Sequence, residues 1–351
     1  MSRSYSIPEA TAQHAPTSTA DGSSFARFLS AASSWGGSAA PLLAVLRAVE
    51  PGSLLPLPGA GETDERLRRL ARVGETDLTA ARVLEPHLDA VAILAEAGEP
   101  LPERGTTWGV FAAEAPDAVL QAIPSGDGWL LRGRKAWCSL AGELTSALVT
   151  ATTLTGERRM FAVDLTAHEV TAEHARWVAR GLTEVVSGPV RFDGVVATPV
   201  GGDGWYLDRP GFRWGAIGVA ACWWGGCLPI ADALAARVRR RSDDELGAAR
   251  AGELHRALDA GRLALHDAAA RIDGGTVGDA ALLSHSVRGT VADAVVLALA
   301  AARDVLGPAA LAFDESLARR CADLELYVAQ YHRGRDDASL ARHLPEGGLA
   351  W

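Results

Sequence analysis

The chain has 351 residues, of which 48% are hydrophobic and 22% charged, and its formal net charge at pH 7 is -9. This length allows two or three structural units with a sizeable core, and the composition is that of a soluble globular protein. The negative charge argues against nucleic-acid binding, because contacts to phosphates need a basic face.

The cysteines and the N-terminus indicate a cellular compartment. Cys138, Cys222, Cys227 and Cys321 show no CxxC spacing, so we expect neither a disulfide framework nor a metal site. A reducing cytoplasm fits this pattern, and the N-terminus lacks the basic and then apolar segments of a signal peptide. Arg and Asp interrupt the apolar stretches, so no membrane span is expected. We therefore expect a cytoplasmic protein.

The first part of the chain reads as a tail followed by helices. Residues 1–24 are rich in Ser, Thr, Ala and Pro and are expected to be a disordered tail. Residues 25–105 are expected to form a helical domain, because apolar side chains recur at helical spacing over 67–94 and Gly98 ends the run. His87 and Asp89 are interpreted as structural residues of a helix surface with one buried stripe.

The pattern changes to short β-rich runs over residues 106–205. Gly126, Asp127, Asp193 and Gly194 are turn signals between these runs. Strands at this spacing indicate a small barrel or a sandwich. The predicted strands are 108–112, 129–131, 147–152, 160–163, 190–192 and 195–200.

Residues 206–351 are again helical. One long helix is predicted over 212–241, with a kink at Pro229. Three more helices are predicted over 253–272, 287–306 and 313–342, and Gly307 with Pro308 ends the third. Four long helices with short links favour an antiparallel four-helix bundle.

The run DGWLLRGRKAWCS at 127–139, read as two short strands around a Gly133 turn, resembles the flavin-binding strand of the acyl-CoA dehydrogenase family. The phrase SGPVRFDGV at 187–195 and the order of the segments are also similar to that family, over about residues 65–342. The resemblance implies an α+β, mainly α, acyl-CoA dehydrogenase fold. Its parts are an N-terminal helical domain, a middle β-barrel-like domain and a C-terminal four-helix bundle.

The resemblance also implies FAD as the cofactor, bound between the β-domain and the bundle. In the family, the aromatic ring at the position of Trp137 packs beside the isoalloxazine. The hydroxyl group two residues later, at the position of Ser139, lies near flavin N5, and Cys138 stands between the two. The preceding family motif corresponds to residues 111–118, and a Gly-rich loop that follows it in the family is missing here. The other residues implied to contact the cofactor are Phe111, Ala113, which replaces a Thr, and Glu114, with Arg239 and Arg240 acting on the pyrophosphate of a neighbouring subunit.

The usual catalytic Glu has no counterpart in this reading. The family position falls near Val328 or Ala329, and a minority position falls near Arg213. These residues cannot act as a general base, so the chain is interpreted as a diverged member. Possible substitutes are His332, Glu325 and Asp208. A His near the flavin also suits a monooxygenase, because its pKa lies near neutral pH.

Three hypotheses about function follow from the resemblance. The first is an FAD-dependent oxidoreductase acting on a nonstandard acyl thioester or another small molecule. The second is a non-catalytic homologue, either a partner subunit or a flavin-free protein. The third is a flavin-dependent monooxygenase of the same fold. Apolar faces on the bundle helices resemble those that the family buries between subunits, which implies a homodimer or a homotetramer.

Overall fold

The structure is a computed structural model that describes residues 22–34, 36–174, 176–241 and 243–346. The predicted tail falls outside these ranges except for residues 22–24, which begin the first helix. The order of elements is helices, strands and helices. This is the α+β, mainly α, arrangement that the sequence predicts.

The N-terminal helices differ from the prediction at one break. The run over 67–94 forms two helices, because the chain turns at Asp77, whose carboxylate accepts a hydrogen bond from the Ala80 amide at 2.9 Å and caps the second helix. Gly98 ends that helix in the left-handed region, at a φ of 72°, as predicted. The four helices are α1 (Gly22–Ser33), α2 (Ala40–Ala48), α3 (Thr63–Thr76) and α4 (Leu78–Ala97).

Seven strands form the middle of the chain. They are β1 (Trp108–Phe111), β2 (Leu120–Ser125), β3 (Gly128–Ser139), β4 (Ser146–Thr153), β5 (Arg158–Asp164), β6 (Val170–Ala172) and β7 (Ser187–Val200). Five of them close into a barrel in the order β4-β2-β3-β7-β5, because β5 pairs back onto β4. β1 adds to β4 in parallel, and β6 adds to β7. Because the strands close on themselves, this domain is a barrel, which is one of the two architectures that the sequence predicts, and not a sandwich.

Two predicted strand breaks are wrong. Gly133 does not turn the chain: β3 runs through it, and Gly133 has a φ of 124°. A Cβ at Gly133 would lie 2.3 Å from the Val119 carbonyl oxygen, so a larger residue would clash with the backbone. β7 likewise continues through Asp193 and Gly194. The sequence patterns also miss the short strands β2 and β6.

The C-terminal helices are longer or more broken than predicted. They are α5 (Trp205–Asp208), α6 (Pro210–Arg240), α7 (Glu245–Asp273), α8 (Ala280–Ala301), α9 (Gly307–Phe313), α10 (Glu315–Val328) and α11 (Arg333–Arg342). A π-helical turn over 302–306 joins α8 to α9. The helix predicted over 313–342 is two helices, since the chain breaks between Val328 and Arg333. α6, α7, α8 and α10 pack together as the bundle.

Close contact between α3 and α6 joins the N-terminal helices to the bundle. A Cβ at Gly74 would lie 2.2 Å from the Cys222 carbonyl oxygen, and one at Gly225 would lie 1.9 Å from that of Ala71.

By length and composition alone, α6 and the segment Ala280–Phe313 are long and apolar enough to cross a membrane. Both belong to the bundle, and α6 is mostly buried there.

Candidate active site

The end of β3 carries a bulge that turns Trp137 out of the barrel. The pairing with β7 shifts between Lys135 and Cys138, so β3 has one extra residue there. Trp137 has a φ of 60°, which is uncommon for a residue other than glycine, and 58% of its surface is exposed. Cys138 points the opposite way and is buried, and burial raises its pKa to about 12. The bulge therefore presents an indole ring to solvent at the barrel edge.

The Ser139 hydroxyl lies where the barrel meets α4. Its Oγ is 2.7 Å from the Ser187 Oγ on the facing strand, and the Arg82 Nη2 on α4 donates to it at 3.3 Å. The Arg82 Nη1 donates to the Glu85 carboxylate at 2.6 Å. Trp137 and Ser139 are thus brought to one edge of the barrel, and Ser139 is tied to a buried ion pair.

A polar face of α4 continues away from Ser139. Arg82, Glu85 and Asp89 are three and four residues apart, which places them along one side of the helix. Burial raises the pKa of Glu85, although Arg82 opposes this effect. Burial also raises the pKa of Asp89, against the attraction of Arg209 and Arg66. Carboxyl groups held in this way are common at functional sites.

Tyr327 from α10 closes this polar region on the bundle side. The Arg82 guanidinium lies 5.3 Å from the centre of the Tyr327 ring. The side chain is fully buried, and its hydroxyl has no hydrogen-bond partner among the described residues. The hydroxyl is near the Arg82 guanidinium and the Cys222 thiol, but without hydrogen-bond geometry to either. Burial raises the pKa of Tyr327 well above its usual value, and Cys222 and Glu85 act in the same direction.

Glu114 is committed to an ion pair at the barrel. Its carboxylate accepts from the Lys135 Nζ at 2.7 Å and from the Thr150 hydroxyl at 3.2 Å. Lys135 is buried, and burial lowers its pKa although Glu114 opposes this effect. Ala113 is exposed beside Glu114, and Phe111 is buried at the end of β1. In this structure Glu114 holds the buried lysine, while its predicted contact with a cofactor stays a prediction.

Arg239 and Arg240 do not join this group within one chain. Both are exposed in the last turn of α6. Arg239 is 17 residues beyond Cys222, which places it about 25 Å farther along the helix axis. Cys222 is an α6 residue near Tyr327. The contact from these arginines to a cofactor, which the resemblance places in a second copy of the chain, stays a prediction.

The three candidate catalytic residues lie apart from one another. His332 is exposed in the link between α10 and α11, and its Nδ1 is 3.1 Å from the Gln330 carbonyl oxygen. Glu325 is exposed on α10, and Asp208 is exposed at the end of α5. No contact among the described residues connects any of them to Trp137 or Ser139. Their catalytic roles stay predictions.

The interpretation of α4 as a surface helix with one buried stripe is wrong. Most of α4 is buried, because the barrel and the bundle pack on different sides of it. His87 is structural, as expected: its Nδ1 accepts a hydrogen bond from the Trp108 amide at 3.2 Å, and burial lowers its pKa to about 4. Asp89 belongs to the polar face.

Sequence reasoning missed the roles of Arg82, Glu85 and Tyr327. The available signal was three charged residues, Arg82, Glu85 and Asp89, at i, i+3 and i+7 on a mainly apolar helix.

Comparisons with known proteins identify the fold. No protein-family model and no curated protein sequence matches the chain. Several solved structures do. The dibenzothiophene monooxygenase TdsC from Paenibacillus sp. A11-2, solved with FMN and indole, has a TM-score of 0.73 and 17% identity, over 91% of this chain and 94% of that chain. Methanesulfinate monooxygenase MsuC from Pseudomonas fluorescens has a TM-score of 0.71 and 18% identity, over 94% and 96%.

A nitrososynthase from Micromonospora carbonacea var. africana is also similar, with a TM-score of 0.72 and 17% identity, over 91% of this chain and 93% of that chain. These matches cover nearly the whole chain and both helical regions as well as the barrel. At these identities they establish the architecture. The chain therefore has the acyl-CoA dehydrogenase fold.

Proposed function

We propose that this chain is a flavin-dependent monooxygenase of the acyl-CoA dehydrogenase fold. The observation that carries the proposal is the pair of Trp137 and Ser139 at the barrel edge, with an exposed indole and a hydroxyl group fixed on one rigid strand. Aromatic surface with a few fixed polar groups is the usual make-up of a cofactor site.

The residues present fit a flavin. The Trp137 ring offers an apolar face, the Ser139 hydroxyl offers a hydrogen bond, and the buried Tyr327 hydroxyl has an unused donor in the described part of the chain. When bound, a reduced flavin supplies the electrons with which O2 is activated. The chain's own contribution is to pack Trp137 against the ring, to aim Ser139 through Arg82, and to exclude water with the helices that pack on the barrel.

Two observations favour oxygenation over dehydrogenation of an acyl thioester. Two of the similar structures are monooxygenases by name, TdsC and MsuC. In addition, neither of the positions at which the resemblance places an α-proton base carries a carboxylate: Val328 and Ala329 at the end of α10, and the surroundings of Arg213 on α6. A monooxygenase does not require that base.

A second candidate is a dehydrogenase that acts on a small molecule. Glu85 is a partly buried carboxylate with a raised pKa, linked to Ser139 through Arg82. A carboxyl group of this kind can accept a proton as a general base. This candidate keeps the flavin and the fold but predicts that the substrate reduces the flavin without O2.

The form of the flavin and the assembly belong to the proposal as well. The resemblance implies FAD, while FMN is the flavin bound to TdsC. FAD needs a partner for its pyrophosphate, and Arg239 and Arg240 of a second copy would supply it. A second copy also agrees with exposed apolar side chains on the C-terminal helices α7, α8 and α9, among them Leu246, Leu263, Val296 and Phe313.

Flavin binding and oxygen reactivity test the proposal in sequence. The pure protein is titrated anaerobically with reduced FMN and reduced FAD, and O2 is then admitted. We expect one flavin to bind and the release of hydrogen peroxide to be slower than from free flavin. If neither flavin binds, the non-catalytic homologue replaces the proposal. If a flavin binds without slowing peroxide release and a substrate reduces it anaerobically, the dehydrogenase replaces it.

A further inference from the structure

The partly accessible polar side chains of α4, where α4 packs against α6, are the second feature of the site; we treat the space beside them as a crevice. We call it the Asp89 crevice and define it by Arg82, Glu85 and Asp89 of α4, Gly215 of α6 and Tyr327 of α10. Asp89 lies deep in the fold, where burial raises its pKa, yet 20% of its side-chain surface is accessible to solvent. A Cβ at Gly215 would lie 2.8 Å from the Asp89 Oδ1. The glycine thus leaves room for the carboxyl group at the crevice wall.

Among the carboxyl groups of this region, Asp89 has the most unused acceptor capacity. Glu85 accepts from Arg82 at 2.6 Å, and Glu96 accepts from the Arg209 guanidinium at 2.6 Å and from the Gly211 amide at 3.0 Å. Asp89 makes no hydrogen bond to any described residue. Its nearest cation is the Arg209 Nη2, at 4.0 Å. A carboxyl group has about four acceptor positions, so a ligand group can bind Asp89.

The charges around Asp89 are balanced. The guanidinium groups are Arg66 from α3, Arg82 from α4, Arg209 from before α6 and Arg288 from α8, and the carboxyl groups are Glu85, Asp89, Glu96 and Asp336. Tyr206 from α5 also faces Asp89 and is kept neutral, because burial raises its pKa. Arg66 is engaged with the Pro56 carbonyl oxygen at 2.9 Å. An added cation or anion would leave an uncompensated charge in a region of low dielectric, which is costly.

The second observation that points to a ligand is Tyr327. Its hydroxyl is fully buried, faces Glu85 and Arg82, and has no partner in the described part of the chain. Buried hydroxyl groups are normally hydrogen-bonded, and the exceptions need a reason. A ligand that reaches into the crevice supplies the missing acceptor.

We propose that the substrate is an uncharged small molecule with hydroxyl groups, one of which donates to Asp89 while a ligand oxygen accepts from Tyr327. Arg82 borders both Ser139 and the crevice, and Asp89 is seven residues farther along α4, about 10 Å along the axis. A molecule of that length would lie with one end at Trp137 and Ser139 and the other at Asp89. This inference rests on the proposed function for its reaction, but the crevice can be tested without flavin.

Three probes with the same six-membered ring test which charge and polarity the crevice accepts in a ligand. They are trans-1,2-cyclohexanediol, cyclohexylamine and cyclohexanecarboxylate. Each is titrated into the flavin-free protein and followed by ligand-observed NMR. We expect the diol to bind about tenfold more tightly than the two charged probes, since it gains hydrogen bonds to Asp89 and Tyr327 without unbalancing the charges. Asp89→Leu and Tyr327→Phe should each weaken the diol about tenfold. Asp89→Asn keeps an acceptor and should retain most of the binding.

Asp259→Leu is the matched control, because the Asp259 side chain on α7 is about half exposed and, among the described residues, forms an ion pair with Arg262 alone. It should leave the binding of all three probes unchanged. Equal binding of the three probes, preference for the amine or the carboxylate, or diol binding that survives Asp89→Leu would overturn the inference. Thermal melting confirms that each variant is folded. If the protein binds the diol but no flavin, the result supports ligand binding in the Asp89 crevice and contradicts the proposed monooxygenase function.

Discussion

Arg82 on α4 donates a hydrogen bond to Ser139 on β3, with 3.3 Å between Nη2 and Oγ. The same guanidinium donates to Glu85 at 2.6 Å, and both side chains of this ion pair are mostly buried. The contact joins the helical layer to the strand that carries Trp137. One side chain therefore couples the stability of α4 to the position of the Ser139 hydroxyl.

Replacing Arg82 should destabilise the protein. Arg82→Met leaves the Glu85 carboxylate buried without its partner, which costs about 3–5 kcal/mol in comparable cases. The free energy of unfolding is measured by urea denaturation. The control is Arg72→Met, which breaks an exposed pair with Glu75 and should cost no more than about 1 kcal/mol. Equal losses in the two variants would contradict the buried role of Arg82.

His87 should make stability depend on pH. Its pKa is about 4 in the folded protein because of burial, and about 6.5 in an unfolded chain. Between these values the unfolded chain binds more protons, so stability is present above pH 6.5 and is lost as pH falls toward 4. The loss amounts to about 3 kcal/mol. His87→Gln keeps an acceptor for the Trp108 amide and should lack this loss. Parallel curves of unfolding free energy against pH for the two proteins would contradict the prediction.

The sequence predicts those parts of the fold whose signals are local. Apolar periodicity and Gly98 locate α4, and the turn at Gly126 and Asp127 locates the start of β3. The breaks at Asp77 and after Val328 are missed, because apolar spacing continues across both. β6 is missed because three residues carry too short a pattern, and β2 because Pro124 is unusual within a strand.

The site is predictable in part for the same reason. The shared position of Trp137 and Ser139 at the barrel edge can be predicted because they are neighbours in a recognisable run, while their contact with a flavin stays a prediction. Arg82, Glu85 and Tyr327 are missed because their burial is created by packing between α4, α6 and α10, which no local pattern encodes. The implied contact of Arg239 and Arg240 is to a second copy of the chain. It stays a prediction, because the structure describes one copy.

The exposed apolar side chains of the C-terminal helices should mediate assembly. Phe313 at the end of α9 is 89% exposed and Val296 on α8 is 53% exposed. If the bundle associates with a second copy, Phe313→Glu or Val296→Glu places a charge in the interface. We expect the dissociation constant of the dimer to rise about a hundredfold, equivalent to about 3 kcal/mol. Light scattering over a concentration series measures this.

Val196→Glu is the control for assembly, because Val196 is an exposed valine on the barrel strand β7, more exposed than Val296. It should leave the dimer intact. A wild-type protein that remains monomeric at micromolar concentration would contradict the assembly, and with it the contribution of Arg239 and Arg240 from a second copy.

Trp137 and Ser139 should control flavin binding. Trp137→Ala removes the exposed ring, whose contact with the flavin is worth about 1 kcal/mol beyond its burial, and should strip the cofactor. Ser139→Ala removes one hydrogen bond, worth about 1 kcal/mol, and should weaken binding about fivefold while changing the flavin spectrum. Because most of the Trp137 surface is exposed, Trp137→Ala should hardly change the melting temperature of the flavin-free protein.

The measurement is the rise in melting temperature at saturating FMN and at saturating FAD, for wild type and both variants. We expect the rise to be largest in wild type, smaller in Ser139→Ala and absent in Trp137→Ala, because a ligand that binds only the folded state stabilises it by mass action. Val178→Ala, at another exposed apolar position, should keep the full rise. If flavin raised the melting temperature of wild type and Trp137→Ala equally, the flavin would not bind at the barrel edge.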